Sequence, residues 1–325
     1  MIGIVSAKEV VFIPLINLEH LLKRVRTALD RVGKSKNPGA VTVHRLRVAC
    51  RRAQVGLLLS RKWLPRKRRR KLQKCLGKVR RSADLTRNMD VLLRTLAKSK
   101  PGTPRRIWLL AVKKDRSKAV KKLCKDVRNL KDSLDFKVRA LIKRLREESS
   151  SRIHQQIRER VSALLTRVNG SIGSAGLGET AFHQFRVASK KARYGIEMSR
   201  SLWPAREVKT MIGFLEEIQD RMGDVNDQVG AVRDLESRIK ENPRGPWREL
   251  LRRERNKKAL AWKAVVEWLE TIRGPMISGL DHLQAEGWER RGVTHETITS
   301  VAKLNGIDTI PGFENGIGAC VGASP

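Results

Sequence analysis

A stretch of 23 residues occurs twice in this chain. VHRLRVACRRAQVGLLLSRKWLP at 43–65 lines up with FHQFRVASKKARYGIEMSRSLWP at 182–204, so that His44 meets His183 at a constant offset of 139. From His44 to Pro65, 9 of 22 positions are identical, and Arg51 and Arg52 face Lys190 and Lys191. The register continues without a gap: Leu76 meets Leu215, Val79 meets Ile218, and Arg87-Asn88 meets Asn226-Asp227. A chain carrying such a repeat is built from one supersecondary unit used twice, which limits the fold to arrangements of two similar halves.

The halves read as helices. Leu, Val, Ala and Ile supply most apolar positions, aromatics make up only 4%, and the charged segments run long without proline, a pattern that predicts an all-α protein. Helices are expected near 14–33, 41–63, 66–83, 88–99 and 105–130 in the first unit. In the second they fall near 134–168 with an interruption at 149–151, then 180–202, 205–222, 226–240 and 247–273. Short connections make neighbours antiparallel, and SIGSAGLGE at 171–179 reads as a flexible hinge. The expected organisation is a body over 1–273, with repeat one at about 10–131 and repeat two at about 134–273, followed by a loosely ordered tail over 274–325 rich in glycine and proline.

The chain carries 70 Lys and Arg against 33 Asp and Glu, a formal +37. The tail holds 3 basic and 6 acidic residues, so residues 1–273 carry 67 and 27, a formal +40. Such a surplus repels itself in a compact state unless a polyanion relieves it, which points to nucleic acid, an anionic membrane or inorganic polyphosphate. The four cysteines, Cys50, Cys75, Cys124 and Cys320, show no C-x-x-C spacing, which argues against a zinc finger or a disulfide framework. No apolar run approaches the roughly 20 residues of a membrane span, and the opening MIGIVSAKEVVFIPLIN lacks a basic leader, so a cytoplasmic protein is expected.

On a helical wheel with each histidine at 0°, Leu46, Ala49, Ala53, Gly56 and Leu57 fall between about 120° and 220°. Phe185, Ala188, Ala192, Gly195 and Ile196 fall on the same arc in the second copy. That apolar, often small face allows a neighbouring helix to come close. Arg47, Arg51 and Gln54 in one copy, and Arg186, Lys190 and Arg193 in the other, lie beside the histidine at about 280–340°, a basic strip running about 15 Å along each helix. Arg52 and Lys191, near 80°, lie off it, and Tyr194 sits at its edge as a packing residue. Fixed cations in a row suit a linear anion, since an arginine fork grips two phosphate oxygens and lysine acts as a point charge. A second basic feature is RKWLPRKRRRK at 61–71, where Arg61, Lys62, Arg66, Lys67, Arg68, Arg69, Arg70 and Lys71 flank a helix start. Its counterpart AREVK, at 205–209, is far less basic.

These residues resemble the CHAD domain, the conserved histidine α-helical domain. The likeness rests on H-x-x-R-V-A-x-[RK]-[RK]-A at His44 and again at His183, on LGKVRRSADLTRNMDVLL at 76–93, and on FLEEIQDRMGDVNDQ at 214–228 with its G-x-x-N-D ending. It covers roughly residues 10–272. The resemblance implies two helical bundles related by a pseudo-twofold axis, whose histidine helices face a basic groove that binds inorganic polyphosphate, and association with polyphosphate granules. By position it carries polyphosphate binding to His44, Arg47, Arg51 and Arg52, and to His183, Arg186, Lys190, Lys191 and Arg193. Two positions depart from the pattern: Gln54 stands opposite Arg193, and Asn88 stands where the family usually has an acid, which puts a salt bridge there in doubt.

The E-x-E-x-K signature of the triphosphate tunnel domain often fused to this family does not occur, nor does a G-x-x-x-x-G-K-[ST] loop. Two histidines among cations make a poor divalent-metal site, so neither a metal, a cofactor nor an enzymatic activity is expected. The competing reading is nonspecific DNA or RNA binding. Against it, the strips carry no interleaved stacking aromatics apart from the neighbouring Tyr194, and the small apolar face of each histidine helix implies burial rather than insertion into a duplex groove.

Overall fold

The computed structural model describes residues 13–97, 101–147, 152–203 and 205–285. All regular structure among them is helical: α1 (Ile13–Gly33), α2 (Ala40–Leu59), α3 (Arg66–Ala97), α4 (Thr103–Glu147), α5 (Arg152–Ile172), α6 (Glu179–Ser199), α7 (Ala205–Glu241) and α8 (Arg248–Ala285), with a 3-10 turn at Arg200–Leu202. The all-α class read from the sequence is the class observed. Helices α1 to α4 pack in sequence order and α4 closes back on α1; α5 to α8 do the same, with α8 closing on α5. The two four-helix bundles meet through equivalent elements, α2 on α6 and α3 on α7, with α1 on α6 mirrored by α2 on α5, the contact pattern of a twofold relation.

Several expected boundaries shift. No break follows residue 83 or 222: α3 and α7 run unbroken because no proline interrupts them, and the Arg-Asn and Asn-Asp pairs that suggested turns are side chains of a helix surface. Helix α4 likewise runs through 131–134, the expected junction of the units. The tail does not begin at 274. Helix α8 continues through Gly274 and Pro275 to Ala285, and the sequence explains this, since Met276, Leu280 and Leu283 extend the apolar spacing of Trp268, Leu269 and Ile272. The loosely ordered tail expected further on falls on residues 286–325, outside the described residues. The 171–179 segment is not a free hinge either. Ser171 and Ile172 finish α5, Ala175 is fully buried, and only Gly178, with φ at 145°, has a backbone that demands glycine.

One apolar core runs through both bundles, from Leu18 and Leu46 to Phe185 and Leu215. The small residues of the histidine helices set how closely the bundles approach. A Cβ on Gly56 would stand 2.9 Å from Leu18 Cδ1 and 3.2 Å from Met198 Sδ of the other repeat, and one on Gly195 3.1 Å from Leu164 Cδ1. A second, smaller core joins the ends of α3, α4, α7 and α8 around Trp108 and Trp247, again 139 apart. Trp108 donates its indole N–H to Asp234 at 2.7 Å, and Arg238 spans Asp234 and Asp115 at 2.7 and 2.8 Å, tying the two repeats together.

These contacts separate two kinds of glycine. Gly56→Val is expected to destabilise the protein by about 2 kcal/mol, because its branched side chain displaces the ends of Leu18, Leu21 and Met198 together. Gly230→Ala on α7, with nothing within 4 Å of the new methyl, is expected to stabilise it by about 0.5–1 kcal/mol through helix propensity. Denaturant unfolding of both variants checks the pair.

Candidate anion-binding site

Packing α2 against α6 brings the two basic strips together. The electrostatic neighbours of each group show it: Lys190 lies among Arg186, Arg51, Arg47 and Arg193, His183 feels Arg51, and His44 feels Lys190. Cations 139 residues apart in sequence thus form one cluster across the repeat interface.

The two copies manage their charge differently. In the first, Asp84 of α3 accepts from Arg47 Nε, from Arg80 at 3.3 Å, and lies 3.7 Å from Arg51. One carboxylate therefore orients three guanidiniums. Its counterpart in the second copy is Gly223, and among the described residues neither Arg186 nor Lys190 has a carboxylate within ion-pair distance. Asp227 acts on Arg186, and its own carboxyl is pushed up by desolvation although Arg186, Arg94 and Arg87 oppose the shift. Desolvation first, then the surrounding arginines, push the Lys190 ammonium down to about 6, and the same two causes push Arg51 down to about 10. Both histidines are lowered, first by desolvation and then by cations: Arg87, Arg47 and Arg94 for His44, Arg186 and Arg233 for His183.

Of the residues singled out in the sequence, His44, Arg47, Arg51, His183, Arg186 and Lys190 share this cluster. Arg193 borders it, held by Glu197 at 3.4 Å and Glu216 at 3.1 Å. Arg52 points elsewhere, pairing across the interface with Glu197 at 2.9 Å. Tyr194 is buried with Arg52 and Arg193 5.5 and 5.2 Å from its ring centre. Lys191 turns to the other side of α6, where with Arg167, His183 and Gln184 it lines a recess of about 290 Å³ against α5.

The run at 61–71 divides by helix geometry. Taking Arg80 as 0° on α3, Arg66, Arg69 and Arg70 project within about 80° of it, on the side of the cluster, while Lys67 and Lys71 fall near 140° and 180°. Arg61 and Arg69 lie near Arg160 of α5, whose guanidinium bonds the Leu59 carbonyl and stacks 5.1 Å over Trp63. Arg61, Lys62, Arg66, Lys67, Arg68, Arg70 and Lys71 are exposed.

Sequence reasoning missed the contribution of α3 and α7. Arg80, Arg87 and Arg94 project along one face of α3 toward the histidine helices, and Arg94 and Arg233 are 139 apart, each beside the histidine of its own repeat. Extending the repeat register one helix further would have found that pair. Nothing in sequence would have found Asp84, since its counterpart is a glycine. Asn88 is exposed, and two residues on a separate ion pair forms, in which buried Asp90 accepts from Arg116 at 2.6 Å.

Taken together, the site offers forked and point-charge donors, and among the described residues no group of three His, Cys, Asp or Glu could hold a metal ion. No helix of the described residues is long and apolar enough to cross a membrane.

Comparison with known proteins agrees with the class. The CHAD domain family model matches residues 17–236, and the chain belongs to that family, one linked to polyphosphate binding. Among solved structures it is similar to the crystal structure of the CHAD domain from the plant Ricinus communis, at 17% identity and a TM-score of 0.58 over 94% of this chain and 93% of that one, a likeness of fold. No curated protein matches it.

Lys190 gives a direct test of the charge cluster. The unfolded chain keeps this proton up to an ordinary 10.5, whereas the folded protein releases it near 6. The unfolded state binds more protons between those values, so stability of the free protein rises with pH across that window. Lys190→Met is expected to raise the Tm at pH 7 and to flatten the rise between pH 6 and 10, measured by thermal unfolding at constant ionic strength.

Proposed function

We propose that this protein is a non-catalytic binder of inorganic polyphosphate, which lies along the joined strips of α2 and α6 and neutralises them. The observation that carries this reading is Lys190. It sits among four arginines from both repeats with no carboxylate within ion-pair distance among the described residues, an arrangement that costs stability in the free protein and is relieved by a chain of closely spaced anions. Arg47, Arg51 and Arg186 supply forks for successive phosphates, with His44 and His183 as neutral donors at the flank. Arg87 and Arg94 widen the cationic surface from α3. Arg52, spent on Glu197, and Lys191, facing the recess, contribute less. Association with polyphosphate granules would follow from such binding.

Two features favour polyphosphate over nucleic acid. Tyr194, the aromatic of the strips, is buried among arginines and offers no face on which a base could stack. The histidine helices are wedged between bundles, so neither can enter a duplex groove.

Replacing Arg186 and Lys190 together by Gln removes the two strip cations that have no ion pair and leaves the Asp84 network intact. The double variant is expected to keep its helical content and lose at least about tenfold in polyphosphate affinity at moderate salt. Arg52→Gln is expected to lose less than about threefold. Binding by the wild type is also expected to take up protons, because phosphate beside Lys190 restores its ammonium, and so to weaken as pH rises above 6. Calorimetry in buffers of different ionisation heat measures this. Unchanged affinity in the double variant would remove the site from this location.

A further inference from the structure

The strip cations of the two histidine helices meet at the α2–α6 interface. A second group of first-repeat cations, most of them with no cation at the matching position of the second repeat, gathers on a different surface. On α3, Lys67, Lys71, Lys74 and Lys78 are all exposed and fall within about 120–180° of Arg80, turned away from the cluster. Their counterparts on α7 are Arg206, Thr210, Gly213 and Glu217, one of them acidic.

Helix α4 continues this surface. Ser82, about 200° around α3 from Arg80, bonds Asp126 of α4, so α4 lies across α3 from the cluster. Lys78 of α3 and Lys122 of α4 share Asp126 at 4.0 and 3.5 Å, which joins the two helix faces. From there Lys114, Lys118, Lys121, Lys125 and Arg128 form one exposed stripe about 21 Å long, at spacings of four and three residues. Lys118 has a weak partner in Asp115 at 4.0 Å, itself held by Arg238, and the other four have none among the described residues.

The equivalent helix of the second repeat shows what a merely solvated basic face looks like in this protein. On α8, Arg253 pairs with Glu249 at 2.5 Å, Arg255 with Glu236 at 2.8 Å, Lys257 with Glu254 at 2.6 Å and Lys258 with Glu179 at 2.9 Å. Carboxylates within 3 Å accompany those cations, whereas on the outer face of α3 and α4 the ion pairs to Asp115 and Asp126 are longer, 3.5–4.0 Å, and Lys71, Lys74, Lys121 and Lys125 have none among the described residues.

Resting on the polyphosphate reading above, we propose that the outer face of α3 and α4 is a second polyphosphate-binding surface, so that one molecule bridges two stretches of polymer and condenses long chains. The two sites differ in kind. The interface cluster is arginine-rich and partly desolvated, which favours tight, oriented binding. The outer face is mostly lysine and fully hydrated, which favours weak, exchangeable, salt-sensitive binding. A chain seated in the cluster is separated from the outer face by the body of α3, so the second site takes another segment or another chain.

The test compares the wild-type full chain with a variant carrying K71Q, K74Q, K118Q, K121Q and K125Q, substitutions that keep helix propensity and touch no residue of the cluster. Two probes are used: a short polyphosphate that can occupy the cluster alone, and a long one. The variant is expected to bind the short probe within about threefold of wild type and to need at least about twofold less salt to dissolve the light-scattering assemblies formed with the long one. Wild-type protein that binds the short probe yet forms no assemblies with the long probe would overturn the bridging surface. So would a variant that condenses long polyphosphate as wild type does, or one that loses condensation of single-stranded RNA alone. Failure of wild type to bind the short probe would instead overturn the polyphosphate reading itself.

Discussion

Repulsion across the interface between α2 and α6 is what the rest of this structure is organised around. Arg47 and Arg51 of one repeat face Arg186 and Lys190 of the other, and Coulomb forces alone would drive the bundles apart. Packing holds them together. Gly56 and Gly195 let Leu18, Met198 and Leu164 close over the histidine helices, Asn17 donates to the Met198 carbonyl at 2.7 Å, and the Trp108–Asp234–Arg238 network joins the bundles at their far ends. The apolar core thus keeps the cations in an arrangement that only an added anion makes comfortable, and the depressed Lys190 ammonium is the sign of that unresolved charge.

Duplication gives the site its form and divergence gives it direction. The repeat supplies paired histidines, paired arginines at Arg47 and Arg186, and the pair Arg94 and Arg233 on the next helix. The carboxylates are not paired. Asp84 braces the first copy where Gly223 leaves the second open, and Asp227 stands opposite Asn88. The cluster therefore has arginines braced by a carboxylate on one side and, on the other, Arg186 and Lys190 with no carboxylate within ion-pair distance among the described residues. Outside the site the asymmetry is larger still, with a basic outer face on α3 and α4 and a charge-paired one on α8.

Much of this was legible in the sequence because it depends on periodicity. The all-helical class, the small faces of the histidine helices and the strip residues beside each histidine follow from 3.6 residues per turn applied to a repeated string. Helix ends were harder: Arg87-Asn88 and Asn226-Asp227 resemble turns, yet they lie mid-helix, where Arg87 and Asp227 attract each other across the repeats and Asn88 is exposed. The tail boundary failed for a related reason, since Gly274-Pro275 reads as a stop while the apolar spacing beyond it continues. Partnerships between distant residues lay beyond sequence altogether. Nothing local distinguishes Arg52, neutralised by Glu197, from Lys190, which has no such partner, or reveals that Lys191 faces α5.

The most direct test of the account is a competition titration at moderate salt, in which labelled long-chain polyphosphate is displaced by unlabelled polyphosphate, duplex DNA or single-stranded RNA at equal phosphate concentration. The joined strips predict displacement by polyphosphate at concentrations far below those of either nucleic acid. Equal displacement by all three would contradict the account and reduce the cations to a nonspecific basic surface.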